Sequence, residues 1–180
     1  AALKLAPVVP VMVIENVEDA VPLARALVKG GLPVLEITLR TAKAMDCIRA
    51  IIAEVEGAIV GSGTVLTPEQ LRDSYKLGCK FAVSPGSTGR LLGAAEDYEI
   101  ALLPGGVTAS ECMALLEWGY AIQKFFPAEP AGGTAYLSSL ASPLPQVSFC
   151  PTGGITPEKA VSYLKLSNVI TVGGSWMAPK

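Results

Sequence analysis

The chain has 180 residues, of which 51% are apolar and 17% charged, with a formal net charge of −2. That length and polarity suit one domain with a real core and exclude a disordered tail, and the scattered, near-balanced charge offers no basic stripe for nucleic acid. Histidine is absent, which excludes Ser-His-Asp and Cys-His nucleophile systems and removes the commonest metal ligand, so acid–base chemistry falls to carboxylates, lysine, tyrosine or cysteine.

Short apolar runs alternate with amphipathic stretches along the whole chain. The first run, Val8–Ile14, leads to a helical pattern over Val17–Lys29. There Val17, Ala20, Val21, Ala24, Leu27 and Val28 recur at spacings of three and four, between a capping Asn16 and a closing Gly30-Gly31. Val34–Leu39 precedes a helix over Thr41–Val55 that Thr41 is placed to cap. Ala58–Ser62 precedes Pro68–Lys76, with Thr67 as the cap and Pro68 in the first turn. Phe81–Ser84 and Thr88–Ala95 follow, then Ile100–Leu103 and Thr108–Glu117, where Thr108 and Glu111 have capping-box spacing. Tyr120–Phe126 pairs with Thr134–Ala141, Val147–Cys150 with a Thr156-capped Pro157–Leu164, and Val169–Val172 closes the series.

Eight apolar runs without strict alternation read as parallel strands covered on both faces. With seven helices between them they predict a (β/α)8 TIM barrel, a single domain over residues 1–180. An open doubly wound sheet is the rival, but no GxGxxG turn follows the first run. The chain starts on alanine and stops at Lys180, so no eighth helix follows the last run; a fragment, or shielding of that face by another segment or subunit, is expected. The longest apolar stretch, Leu5–Ile14, contains two prolines and is too short to cross a bilayer, and it lacks a signal-peptide pattern. Cys47, Cys79, Cys112 and Cys150 show no CxxC spacing and read as reduced, buried thiols of a cytoplasmic protein.

Reactive groups of such a barrel sit at the carboxyl ends of its strands. On the second run Leu35, Ile37 and Leu39 share one face while Glu36, Thr38 and Arg40 share the other. A glutamate inside a barrel is costly unless it is paired or used. It is either one half of a Glu36–Arg40 ion pair, or a proton-transfer carboxylate beside a guanidinium that holds an anion. On the sixth run Lys124 is flanked by Ile122 and Phe126 on its own parity, whereas Lys29, Lys43, Lys76, Lys80, Lys159 and Lys165 fall in helices or loops. Lysine is almost never buried without cause, and a neutral amine held out of water attacks a ketone. The plainer alternative is a pair with Glu129 at the rim. Pro151-Thr-Gly-Gly-Ile155 and Val172-Gly-Gly-Ser-Trp176 follow the seventh and eighth runs, the usual phosphate loops of this barrel, and their glycines let backbone amides approach an anion. Tight turns alone are the alternative there. Thr64 and Pro85 sit in further strand-end loops and are expected at the mouth.

These motifs together resemble the bacterial 2-keto-3-deoxy-6-phosphogluconate (KDPG)/4-hydroxy-2-oxoglutarate (KHG) aldolases over nearly the whole chain. The resemblance is carried by PVVPV (Pro7–Val11), LEITLRT (Leu35–Thr41), VGSGTVL (Val60–Leu66), SPG (Ser84–Gly86), KFFPAE (Lys124–Glu129), CPTGGI (Cys150–Ile155) and GGSW (Gly173–Trp176). It implies metal-free, cofactor-free class I cleavage of 2-dehydro-3-deoxy-6-phosphogluconate to pyruvate and D-glyceraldehyde 3-phosphate. It also implies Lys124 as Schiff-base residue, Glu36 as proton shuttle, Arg40 and Thr64 on the pyruvate part and Phe126 as its wall. Thr152 would set stereochemistry, and Gly153, Gly154, Gly174 and Ser175 would hold the phosphate. A cytoplasmic homotrimer with no membrane or nucleic-acid partner is the family's implication for assembly. The chain departs from the family pattern at both termini and at Pro104-Gly-Gly-Val107. Aldolases for 4-hydroxy-2-oxoglutarate or the phosphogalactonate epimer, a phosphosugar isomerase, and a non-catalytic phosphosugar-binding barrel are the alternatives.

Overall fold

Parallel strands must bury both faces, and the chain does so by winding β-strands inside a layer of helices. The computed structural model describes Leu3 and residues 5–178. The elements run β1 (Val8–Met12), α1 (Val17–Lys29), β2 (Val34–Thr38), α2 (Ala44–Glu54), β3 (Ile59–Gly63), α3 (Pro68–Leu77), β4 (Phe81–Val83), α4 (Gly89–Tyr98), β5 (Ala101–Leu103), α5 (Ala109–Glu117), β6 (Ile122–Phe125), α6 (Gly133–Ser139), β7 (Ser148–Pro151), α7 (Pro157–Leu164) and β8 (Val172–Gly174). Every ladder is parallel, in the orders β5-β4-β3-β2-β1-β8 and β6-β7. Isolated bridges from Gly105 to Lys124 and from Thr152 to Gly173 join the two sheets into a ring. The expected (β/α)8 arrangement is therefore present, with seven helices among the described residues. No described helix is long and apolar enough to cross a membrane.

Strand alternation sorts the side chains into two layers. Leu35 and Ile37 of β2, Met12 of β1 and Ala82 of β4 pack outward under α1–α4. Phe125 of β6 and Phe149 of β7 pack under α5–α7 with Leu137 and Tyr163. The opposite faces turn into the barrel, where Val9, Val34, Phe81, Val83, Leu103 and Cys150 form a third cluster. Glu36 and Lys124 share the inward parity of Val34 and Ile122, at the carboxyl ends of their strands.

Three expectations shift. Thr41 does not cap α2: its hydroxyl donates to the Ile14 carbonyl at 2.8 Å, and the helix opens at Ala44 behind Lys43. The open carbonyl past the end of β1 takes the hydroxyl first. Asn16 occupies the N-cap position of α1, but its side chain bonds Asp19 rather than a helix amide. The eighth strand lies at Val172–Gly174, not Val169–Val172, because Val169 bridges Phe149 of β7 and the β1 ladder begins only at Val172. Glycine is depleted in strands, but side chains occupy the place of a β-carbon at Gly173 (Thr152) and at Gly174 (Trp176).

Thr67, Thr108 and Thr156 cap as expected, and the Thr108–Glu111 capping box is complete. All four cysteines are buried and unpaired. Replacing Thr108 by Ala removes the cap on the Glu111 amide, so urea unfolding should show a loss of about 1 kcal/mol with an unchanged m-value.

Candidate active site

The barrel's inward face carries one pair of opposite charges. Lys124 Nζ stands 3.3 Å from Glu36 Oε1, each residue is only 3% exposed, and 88 positions separate them. Only the closed ring brings β2 and β6 together across its interior. Neither group survives burial alone, and each supplies the charge the other needs. The plainer pairings considered above do not occur. Glu129 instead binds Lys159 and Tyr163, and Arg40 turns to Thr64, its Nε donating to Oγ1 at 3.1 Å.

The amine is walled by apolar matter. Lys124 Nζ lies 5.3 Å from the centroid of the Phe126 ring, close enough for a cation–π contact. Beside it in β6–β7 register is Cys150, whose thiol burial pushes up to about 12. Cys150 therefore stays a neutral thiol.

The carboxylate has its place because β3 lacks a side chain there. A β-carbon on Gly63 would collide with the Glu36 carboxyl group. Thr64, the next residue, holds φ at 56°. A β-branched residue in the left-handed region is a true outlier, worth about 1–3 kcal/mol of strain that the surroundings must impose. The Val65 amide bound to the Val83 carbonyl at 3.0 Å and the Arg40 bond to the Thr64 hydroxyl hold it there.

Above this floor opens a cavity of about 290 Å³. Arg40, Phe126, Thr152, Gly153, Gly154, Gly174 and Ser175 line it, with Val11, Val13, Ile155 and Gly173. Thr152 is 7% exposed, and its hydroxyl has no hydrogen-bond partner among the described residues. Gly153 and Gly154 have φ of 105° and 76°. The amides of Gly154 and Ser175 find no backbone acceptor outside the strand ladders among the described residues. A rim of unpaired amides beside a guanidinium suits an anion.

Most of the expected residues thus surround one space. Lys124, Glu36 and Thr64 are not themselves lining residues, but Phe126 and Arg40, which touch Lys124 and Thr64, are; Pro85 stands apart, its carbonyl packed against Gly105, which bridges Lys124. Gly63 and Gly173 are not among the expected site residues, and their making room for Glu36 and Thr152 was not expected, although a glycine on the inward parity of a strand is a usable sign of close approach. Among the described residues no His, Cys, Asp or Glu cluster gathers to hold a metal ion.

A family model for KDPG and KHG aldolase matches residues 1–180. The chain belongs to this aldolase family. The KHG/KDPG aldolase of Escherichia coli (strain K12) is 53% identical over 173 residues, spanning 96% of this chain and 81% of its own. The 2-dehydro-3-deoxy-phosphogluconate aldolase of Zymomonas mobilis is 51% identical over 179 residues, 99% of this chain and 86% of its own. The solved KDPG aldolase of Legionella pneumophila, with pyruvate captured at low pH as a covalent carbinolamine intermediate, superposes with a TM-score of 0.97. It is 47% identical and covers 100% of this chain and 87% of its own. This chain is accordingly a lyase, a class I aldolase.

The placement of the Glu36 carboxylate against Lys124 depends on the missing side chain of Gly63. Gly63→Ala should push Glu36 off the lysine and lower kcat about 100-fold, as a misplacement of about 1 Å can. Steady-state cleavage assays check the rate, and circular dichroism checks that the barrel persists.

Proposed function

We propose that Lys124 is the Schiff-base nucleophile and Glu36 the proton shuttle in cleavage of 2-dehydro-3-deoxy-6-phosphogluconate to pyruvate and D-glyceraldehyde 3-phosphate. The observation that carries this is the buried 3.3 Å contact between the two groups at the carboxyl end of the barrel. The Glu36 carboxylate is placed to take the ammonium proton, and the freed amine attacks the C2 carbonyl. Glu36 gives that proton to the hydroxyl of the resulting carbinolamine, which leaves as water, and the carboxylate is restored beside an iminium, an electron sink. Glu36 then removes the proton of the C4 hydroxyl, the C3–C4 bond breaks, and its electrons enter the iminium as an enamine. The aldehyde leaves, Glu36 returns its proton to C3, and hydrolysis of the new iminium frees pyruvate and Lys124.

The other site residues divide the substrate between them. Arg40 and Thr64 take the carboxylate, Phe126 walls the pyruvate part, and Thr152 meets a hydroxyl with its unpartnered oxygen. Gly153, Gly154, Gly174 and Ser175 hold the phosphate through their amides. Pro85 supports the mouth through Gly105. Fixing both ends lowers the entropic part of the barrier, by about 7 kcal/mol or more in favourable cases. The family's second activity, on 4-hydroxy-2-oxoglutarate, uses the same amine and carboxylate without the phosphate. A binding-only barrel gains nothing from an amine buried at such cost, and an isomerase needs no covalent adduct.

The same reading places the enzyme in the cytoplasm, as one domain that assembles into a homotrimer. Support for assembly comes from the family resemblance and from a cage designed by fusing symmetric oligomeric domains. One chain of that cage is 28% identical and superposes with a TM-score of 0.81, covering 94% of this chain and 63% of its own.

Incubation with pyruvate and borohydride should leave a stable adduct on Lys124, read by mass spectrometry of peptides. Lys124→Ala should abolish both adduct and turnover; an adduct on another lysine defeats the assignment. Glu36→Gln should keep adduct formation and slow cleavage by about 100-fold or more, the scale of a lost acid–base group. Removing one partner of a buried pair can cost about 3–5 kcal/mol. The double variant Lys124→Met/Glu36→Gln should regain stability but no activity.

A further inference from the structure

The amides of the phosphate cradle sit in a loop with no side chains of its own at Gly153 and Gly154, so its shape is imposed from outside. The support comes from the segment after β6. The Ala128 amide donates to the Thr152 carbonyl at 2.8 Å and the Glu129 amide to the Gly153 carbonyl at 3.1 Å. The Glu129 carboxylate then reaches α7: Oε1 accepts from the Tyr163 hydroxyl at 2.6 Å and Oε2 pairs with Lys159 Nζ at 2.5 Å. Tyr163 is 1% exposed, so its phenol is a fixed post. Gly154 lies directly on this carboxylate's stem, since a β-carbon there would stand 2.9 Å from Cβ and Cγ of Glu129. Gly133, with φ of 61°, leaves room on the other side: its β-carbon would stand 3.4 Å from Glu129 Oε1 and 3.5 Å from the Tyr163 hydroxyl.

Three elements therefore meet on one carboxylate that has no part in the Lys124–Glu36 chemistry. An anion beside an anion site costs affinity unless it is neutralised, which accounts for the lysine. Lys159, then Tyr163, hold the Glu129 carboxyl below its usual range, while burial and the Glu129 bond push the Tyr163 phenol up. Donor and acceptor roles are thus fixed around neutral pH.

We propose that Glu129, clamped by Tyr163 and Lys159, is a positioning residue that shapes the Gly153–Gly154 backbone to grip the substrate phosphate and so sets the preference for phosphorylated over unphosphorylated acceptors. This rests on reading the glycine loops as the phosphate cradle.

The test runs the reaction in the condensation direction, pyruvate with glyceraldehyde 3-phosphate or with glyceraldehyde, and adds inorganic phosphate as a competitor. Glu129→Gln should raise KM for the phosphorylated aldehyde about tenfold and weaken phosphate inhibition equally, the scale of a lost bond to a charged group. Its kcat/KM for glyceraldehyde and its pyruvate–borohydride adduct should change less than about twofold. Tyr163→Phe keeps the ring and removes the hydroxyl, so it should give the same selective loss at smaller size even where Glu129→Gln is insoluble. An equal loss on both aldehydes, or full phosphate discrimination in either variant, overturns the proposal alone. Equal KM values for the two aldehydes in the wild-type enzyme, with no phosphate inhibition, overturn the cradle reading and this proposal together.

Discussion

The structure depends on the cost of placing two ionisable groups inside a hydrocarbon-lined barrel. Glu36 and Lys124 lie at the ends of inward faces otherwise occupied by Val9, Val34, Phe81, Val83 and Leu103. Burying either alone would carry the full penalty of an unpaired charge, and burying both 3.3 Å apart reduces it without abolishing it. The residual tension is useful. A lysine whose charge rests on one carboxylate can pass its proton to that carboxylate when a ketone arrives, with no histidine needed. The barrel supplies what such a pair requires most, a fixed distance. The parallel register Lys124↔Cys150 on one side and Glu36↔Gly61 on the other leaves the two strand ends little freedom to drift.

That fixed distance rests in turn on missing side chains. Gly61 yields its place to the Phe81 ring, Gly63 to the Glu36 carboxyl and Gly173 to the Thr152 side chain. Each glycine weakens its strand locally, because a residue without a side chain contributes nothing to packing and loses more backbone entropy on folding. The barrel accepts that loss at three places on β3 and β8. At each of them a large neighbour fills the volume, so density is conserved while the reactive groups acquire room.

Element order and strand parity were legible in the sequence because both follow from local periodicity. The outward Leu35 and Ile37, the inward Glu36 and Lys124, and the capped starts of α3, α5 and α7 are set within a few residues of each other. The places where reading failed are those settled by contacts distant along the chain. Thr41 has every local reason to cap a helix, but a carbonyl 27 positions away claims its hydroxyl. The β-branched run at Val169–Val172 reads as a strand, whereas pairing with β1 selects the glycines that follow. Charge partners are harder still, since nothing local decides between a Glu36–Arg40 pair, a Lys124–Glu129 pair and the Lys124–Glu36 pair that forms. The family motifs implied a set of site residues, but the distance between them is a property of the closed ring.

The two ends of the site are built by different means. At the reacting end, side chains on strands are held by the sheet ladder, and their geometry cannot change without breaking it. At the anion end, the groups are backbone amides of a loop whose conformation depends on Phe126, Glu129 and Thr152 packing beside it. A proton shuttle must be placed to within a fraction of an ångström, because its effect falls off steeply with misalignment. An anion held by several amides tolerates small shifts, because each donor contributes modestly and charge is shared. Rigidity is therefore concentrated at the Glu36–Lys124 pair. Adjustment is left to the glycine loop, so one barrel can keep its amine and carboxylate unchanged while the reach of its far end varies.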